Sequence, residues 1–137
     1  MVNSKEVKIE IPSSAEFVTV ARKAVEAIAS RIPLSDEQID SLKLAVGEAC
    51  SNAVKFSGPG QPPVHVLYRL EPDRLEIEVR NTGKPFDPET YCPAKPSADR
   101  LPDGGLGLYL IDQVMDELDV SSKSGETILR MVKRFKR

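Results

Sequence analysis

The chain has 137 residues, of which 40 % are hydrophobic and 29 % charged, with a formal net charge of -2. That is the profile of one soluble globular domain with enough chain for a real core. It excludes a strongly basic nucleic-acid binder, and no apolar run approaches the ~18 residues that span a membrane. The opening "MVNSKEVKIE" lacks the apolar centre of a secretory signal, so a cytoplasmic protein is expected. Cys50 and Cys92 stand far apart outside any CxxC, and His65 is the only histidine. Two reduced thiols are expected, and a Cys/His zinc cluster is excluded by counting.

Taken in chain order, "EVKIEI" at 6 to 11 alternates and predicts a strand with Val7, Ile9 and Ile11 on one face. "SSAE" at 13 to 16 has capping-box form, with Ser13 as cap and Glu16 reaching back. Phe17, Val20, Ala21, Ala24 and Ile28 then predict a helix to about Arg31, closed by Pro33. A second box, "SDEQ" at 35 to 38, opens a helix whose apolar stripe is Leu42, Ala45, Val46, Ala49, Ala53 and Phe56. "SGPGQPP" ends it. From Val64 the period becomes two, and two strands around "EPDR" read as a hairpin.

Residues 87 to 103 hold four prolines and no apolar periodicity, which predicts a long functional loop. "GGLGLYLIDQVMDEL" follows, with Leu108, Ile111, Met115 and Leu118 at helical spacing. The end of the chain reads as two strands around Ser124–Gly125. Segregated strands and helices predict an α+β fold, a two-layer sandwich with a mostly antiparallel sheet and helices on one face. The terminal "KRFKR" is too short for a nucleic-acid arm and reads as solvation or edge protection.

Three constellations carry chemistry. Glu48, Asn52 and Lys55 fall within about 60° of one another on the second helix. Spacing alone favours an ordinary charged face with a Glu48–Lys55 attraction. The same trio also suits phosphate chemistry: an amide oxygen for Mg²⁺, a carboxylate for a proton, and an ammonium for phosphate charge. "NTGKPFDP" closes the hairpin; Asn81, read as lying in the series opposite Leu75, Ile77 and Val79, could pair with a nucleobase edge, and Gly83 permits a tight turn. By itself this is also a common Asn-x-Gly turn. The glycines of "DGGLGL" open a helix, where unpaired amides favour phosphate. No Lys-Ser or Lys-Thr follows Gly107, so this is not a P-loop.

In series, "EACSNAV", "NTGKPFD" and "GGLGLYLIDQVMDEL" resemble the N box and the two glycine boxes of the bacterial ATP-binding anti-sigma regulatory factors. These are small serine/threonine protein kinases with the gyrase and histidine-kinase (Bergerat) ATPase fold, and the resemblance covers about Val7 to Phe135. It implies a single domain over residues 1–137, with 87 to 103 as the ATP lid. It implies Glu48 as catalytic base and Asn52 as the ligand of Mg²⁺ on the ATP phosphates. It implies Gly83, with Phe86 in the same box, near the adenine, and Gly104, Gly105, Leu106, Gly107 and Leu108 at the phosphates. Position and charge add Lys55 and Arg100 as further phosphate contacts. Where the family usually has an aspartate for the adenine amino group, this chain has Asn81. An amide oxygen accepts the same bond without charge assistance, with affinity lower by ~1 kcal/mol. Phe56 stands where many relatives have histidine and reads as packing.

The implied partners are a sigma factor, an anti-anti-sigma (STAS-type) substrate and a second copy of the chain, with Val7 to Ile28 as the candidate dimer and sigma contact. No direct nucleic acid or membrane partner is expected. The alternative is a catalytically weak binding module of the same fold, a reading Asn81 favours. A two-component histidine kinase is disfavoured, because His65 lies in a predicted strand with no dimerisation helix pair before it.

Overall fold

In the computed structural model, residues 4–58, 60–83 and 105–136 are described. Strand β1 (Lys5–Ile11) is followed by a single 3-10 turn (Ala15–Phe17) and helices α1 (Val18–Ala29) and α2 (Asp36–Ser57). The hairpin β2 (Val64–Leu70) and β3 (Arg74–Thr82) comes next, then helix α3 (Gly105–Val114) and the hairpin β4 (Glu117–Lys123) and β5 (Glu126–Arg134). The five strands form one antiparallel sheet in the order β1-β2-β3-β5-β4. This is the two-layer α+β arrangement expected.

The alternation in the strands decides which face the helices cover. Val64, Val66 and Tyr68 of β2, Leu75, Ile77 and Val79 of β3, and Leu129 and Met131 of β5 are all buried. They meet Val18, Ala21, Val25 and Ala29 of α1, Leu42, Ala45, Val46, Ala49 and Ala53 of α2, and Leu108 and Ile111 of α3. The Tyr68 hydroxyl donates to the Ala21 carbonyl at 2.8 Å, satisfying the one polar atom of a fully buried side chain.

The other face of the sheet is held by charge. Glu76, only 7 % exposed, sits between Arg69 and Arg130. Arg69 also reaches Glu6 at 3.2 Å, and Arg130 reaches Asp119 at 3.0 Å, so the ladder runs from β1 to β4. His65 lies on this face in β2, its Nδ1 3.5 Å from Glu10, as the strand assignment required.

Several expectations need correction. Ser13 caps nothing; it donates to the Gly58 carbonyl, and Ser14 Oγ meets Glu16 instead. The first turn is therefore 3-10, and α1 starts at Val18 and ends at Ala29 rather than near Arg31. Its buried stripe is Val18, Ala21, Val25 and Ala29, so Phe17 and Val20 are rotated outward, 38 % and 44 % exposed. The second box is present as read: Ser35 Oγ accepts from the Gln38 amide, and Gln38 Oε1 from the Ser35 amide.

Helix α3 stops at Val114, four residues short of Leu118. The Asp116 amide donates to the Val132 carbonyl at 2.8 Å, drawing the chain into the sheet, so Leu118 packs on the core from β4. Nor does the basic tail protect an edge. β5 lies between β3 and β4, Lys133 Nζ donates to the Val114 carbonyl, Arg134 pairs with Glu117, and Phe135 is buried. The expected lid, 87 to 103, lies outside the described residues.

Candidate nucleotide site

The C-terminal half of α2 supplies the reactive groups. With Ala45, Val46, Ala49 and Ala53 buried against the sheet, positions 48 and 52 fall on the flank of the helix that faces α3. Both side chains are half-buried there. Gly107, in the first turn of α3, is the point of contact. A β-carbon at Gly107 would lie 3.0 Å from Glu48 Oε2, 3.2 Å from Asn52 Nδ2 and 3.7 Å from Asn52 Oδ1. Glycine at 107 thus keeps the space in front of the carboxylate and amide open. It also brings the helix N-terminus, with its unpaired amides and partial positive charge, to the same spot.

Next to this junction is a pocket between α2 and the sheet. Its apolar walls are Ala49, Ala53 and Phe56 of α2, Val79 of β3, Val120 of β4 and Leu129 of β5; its polar groups are Asn52, Asn81 and Thr127. Apolar walls with a few polar atoms among them are the usual lining of a small-molecule site. Asn81 is 6 % exposed and Thr127 8 %, and the two are paired across β3 and β5. The reading that placed Asn81 opposite Leu75, Ile77 and Val79 is wrong. Alternation in steps of two carries 75, 77 and 79 on to 81, so the side chain faces inward with them.

Among the described residues, the Nδ2 atoms of Asn52 and Asn81 are buried without a hydrogen-bond partner. An orphaned amide costs about 1–3 kcal/mol in a closed core, and these two stand together at one pocket, where they offer donors to a bound group. The chemistry of the donors also fits a divalent cation. An amide oxygen beside a carboxylate is a hard-oxygen set. Among the described residues no cluster of three or more Asp, Glu, His or Cys builds an all-protein metal cage.

The remaining expected residues divide. Gly83, at φ 155°, lies on the end of α2; a β-carbon there would come within 2.8 Å of the Phe56 carbonyl oxygen and the Ser57 Cα. It seats the end of β3 against the helix and does not line the pocket. Leu108 is 1 % exposed and belongs to the core, away from the pocket wall. Lys55 is exposed and, among the described residues, forms no ion pair with Glu48. Gly105 and Leu106 begin α3, while Phe86, Arg100 and Gly104 lie outside the described residues.

Sequence reasoning missed Thr127, and it read Phe56 as packing alone. The available sign for Thr127 was a polar residue in the inward series of "ETILRM", in register with Asn81. On the far side of α2, Cys50 is fully buried and burial pushes its thiol up to about 12, so it takes no part in the chemistry.

The fold and site define a class: the family described as the histidine kinase-like ATPase domain matches residues 11–133. Among curated proteins, the serine-protein kinase RsbW of Bacillus velezensis is 38 % identical over 130 residues, covering 89 % of this chain and 81 % of that one. RsbW of Bacillus subtilis is 35 % identical over 134 residues, covering 92 % and 84 %. The chain belongs to the histidine kinase-like ATPase domain family, among its RsbW serine-protein kinases. Solved structures share the fold. The RsbU and RsbW domains of a Mycobacterium tuberculosis protein superpose with a TM-score of 0.70 at 14 % identity, over 97 % of this chain and 33 % of that chain. The SiaB–SiaC complex from Pseudomonas aeruginosa gives 0.68 at 15 %, over 96 % and 89 %.

Proposed function

We propose that this protein is an ATP-dependent serine/threonine protein kinase of the anti-sigma type. It holds a sigma factor inactive and phosphorylates a serine or threonine of an anti-anti-sigma (STAS-type) antagonist. Kinship with the RsbW serine-protein kinases supports the activity. The observation that carries the reading is the meeting of Glu48, Asn52 and Gly107 at the mouth of a pocket with orphaned amides.

In this reading the base lies in the pocket with its edge on Asn81, and the phosphates run toward the start of α3. Asn52 would hold Mg²⁺, which would supply neutralisation of the phosphate charge. The amides of Gly105 to Gly107 meet the phosphate oxygens, with Arg100 of the lid and the flanking Phe86 and Gly104 as further nucleotide contacts. Lys55 adds a cation at the rim. Glu48 accepts the proton of the substrate hydroxyl as that oxygen bonds to the γ-phosphorus and the bond to the leaving ADP oxygen breaks. Little covalent work is asked of the protein, so positioning and charge carry the rate.

The protein acts in the cytoplasm as a homodimer. Among the described residues no helix is long and apolar enough to cross a membrane. Val7, Phe17 and Val20, exposed at 42 %, 38 % and 44 %, supply apolar surface within the segment from Val7 to Ile28 for a second copy or the sigma factor. A second reading, a binding module with little catalysis, is favoured by the uncharged Asn81. Incubation with γ-labelled ATP and the anti-anti-sigma partner separates the two. Label on a partner serine or threonine supports the kinase; sequestration of sigma without label supports the module.

A further inference from the structure

We infer that the base pocket accepts 6-oxopurine nucleotides as well as 6-aminopurine ones, with Asn81 as the residue that sets this tolerance. The inference rests on the nucleotide-site reading above and adds the class of base.

The argument starts from what position 81 can present. Asn81 is 6 % exposed, faces the pocket, and among the described residues has a buried Nδ2 without a partner. Among the described residues no hydrogen bond holds its side chain in one orientation. A carboxamide offers one acceptor and two donors, whereas a carboxylate offers acceptors only. Against a 6-aminopurine, the amide oxygen accepts from the exocyclic amino group and the amide nitrogen donates to N1. Against a 6-oxopurine, the amide turns over: its nitrogen donates to the 6-oxygen and its oxygen accepts from N1–H. Both pairings are bidentate, each using the amide oxygen and one N–H of the buried Nδ2.

The second polar group in the pocket has the same freedom. Thr127 is paired with Asn81 across the strands, and its hydroxyl lies 3.5 Å from that of Ser122, where either oxygen can donate. A hydroxyl donates or accepts by rotation. An aspartate at 81 would instead set a carboxylate oxygen against the 6-oxygen, two acceptors facing each other at a largely buried position. Sites with buried polar groups discriminate steeply when a partner is wrong, so the amide removes a discrimination that an acid would impose.

Calorimetric titration of the full chain with MgATP and MgITP tests this, since inosine changes only the 6-position. The expected result is dissociation constants within about tenfold of each other in the parent. Asn81→Asp should raise the ITP-to-ATP ratio by a further tenfold or more. A parent that binds ATP over a hundredfold more tightly than ITP, with the ratio unmoved by Asn81→Asp, overturns the inference and leaves the nucleotide site intact. Binding of neither nucleotide overturns the nucleotide reading and the inference with it. If a buried carboxylate unfolds the protein, Asn81→Leu decides. Equal fold losses for ATP and ITP support the inference, and a loss confined to ATP overturns it.

Discussion

Glu48 and Asn52 gain their meaning from the glycine opposite them. An alanine at 107 would improve helix propensity by up to about 1 kcal/mol, offsetting the crowding at 3.0 Å and 3.2 Å in the folded state. Gly107→Ala should therefore leave thermal stability within about 1 kcal/mol of the parent while its methyl occupies the space before Glu48 and Asn52. Nucleotide affinity should fall at least about tenfold, or about 1.4 kcal/mol. Melting and titration on one preparation check this, and unchanged affinity would show that the space is unused. The acid and amide were legible in the sequence because a helix puts positions four apart on one face. Asn81 was legible as a residue type and misplaced in facing, although its parity with Val79 already determined the side. Thr127 was obscured because a threonine in a strand is ordinary until the register sets it across from Asn81.

At the scale of elements, the site depends on how β3 ends against α2. Gly83 combines φ 155° with space too tight for a side chain, and the atoms in the way are backbone. Gly83→Ala should cost about 1–3 kcal/mol from overpacking, read as a lower urea midpoint; an unchanged midpoint would mean that the strand end can move away freely. The sheet's outer face gives a pH test. Burial opposes ionisation of Glu76, but the guanidiniums of Arg130 and Arg69 outweigh it and hold its carboxyl below its ordinary 4.5. A lowered folded value means stability present in full above pH 4.5 and lost as pH falls from there through the folded value. Glu76→Gln should thus be less stable than the parent by about 1–2 kcal/mol at pH 7. The gap should close toward pH 3, measured as paired urea transitions; a gap that persists in acid would show that packing rather than charge is lost.

The same scale shows where sequence patterns reach their limit. The box at Ser35 formed because Gln38 was free to reach back, whereas Ser13 found the Gly58 carbonyl 45 residues away and left its own turn uncapped. The helical spacing of Met115 and Leu118 carried past the true end of α3. An amide of the next segment pairs with β5, and long-range pairing of that kind leaves no local trace.

For the whole molecule, the fold follows from the order of periods: each strand hairpin and each helix buries the face its pattern marks, and five strands with helices on one side result. The site lies where the second helix, the end of one hairpin and the start of the third helix converge, so it exists only when all three are packed. The proposed function assigns phosphate transfer to this convergence and the proton to Glu48. Single-turnover transfer from γ-labelled ATP to the anti-anti-sigma partner, parent against Glu48→Gln, tests it most directly when MgATP affinity is measured alongside. The expected rate is lower by about 10²–10⁴-fold, with MgATP affinity within about threefold of the parent. Equal rates for the two proteins would contradict the assignment.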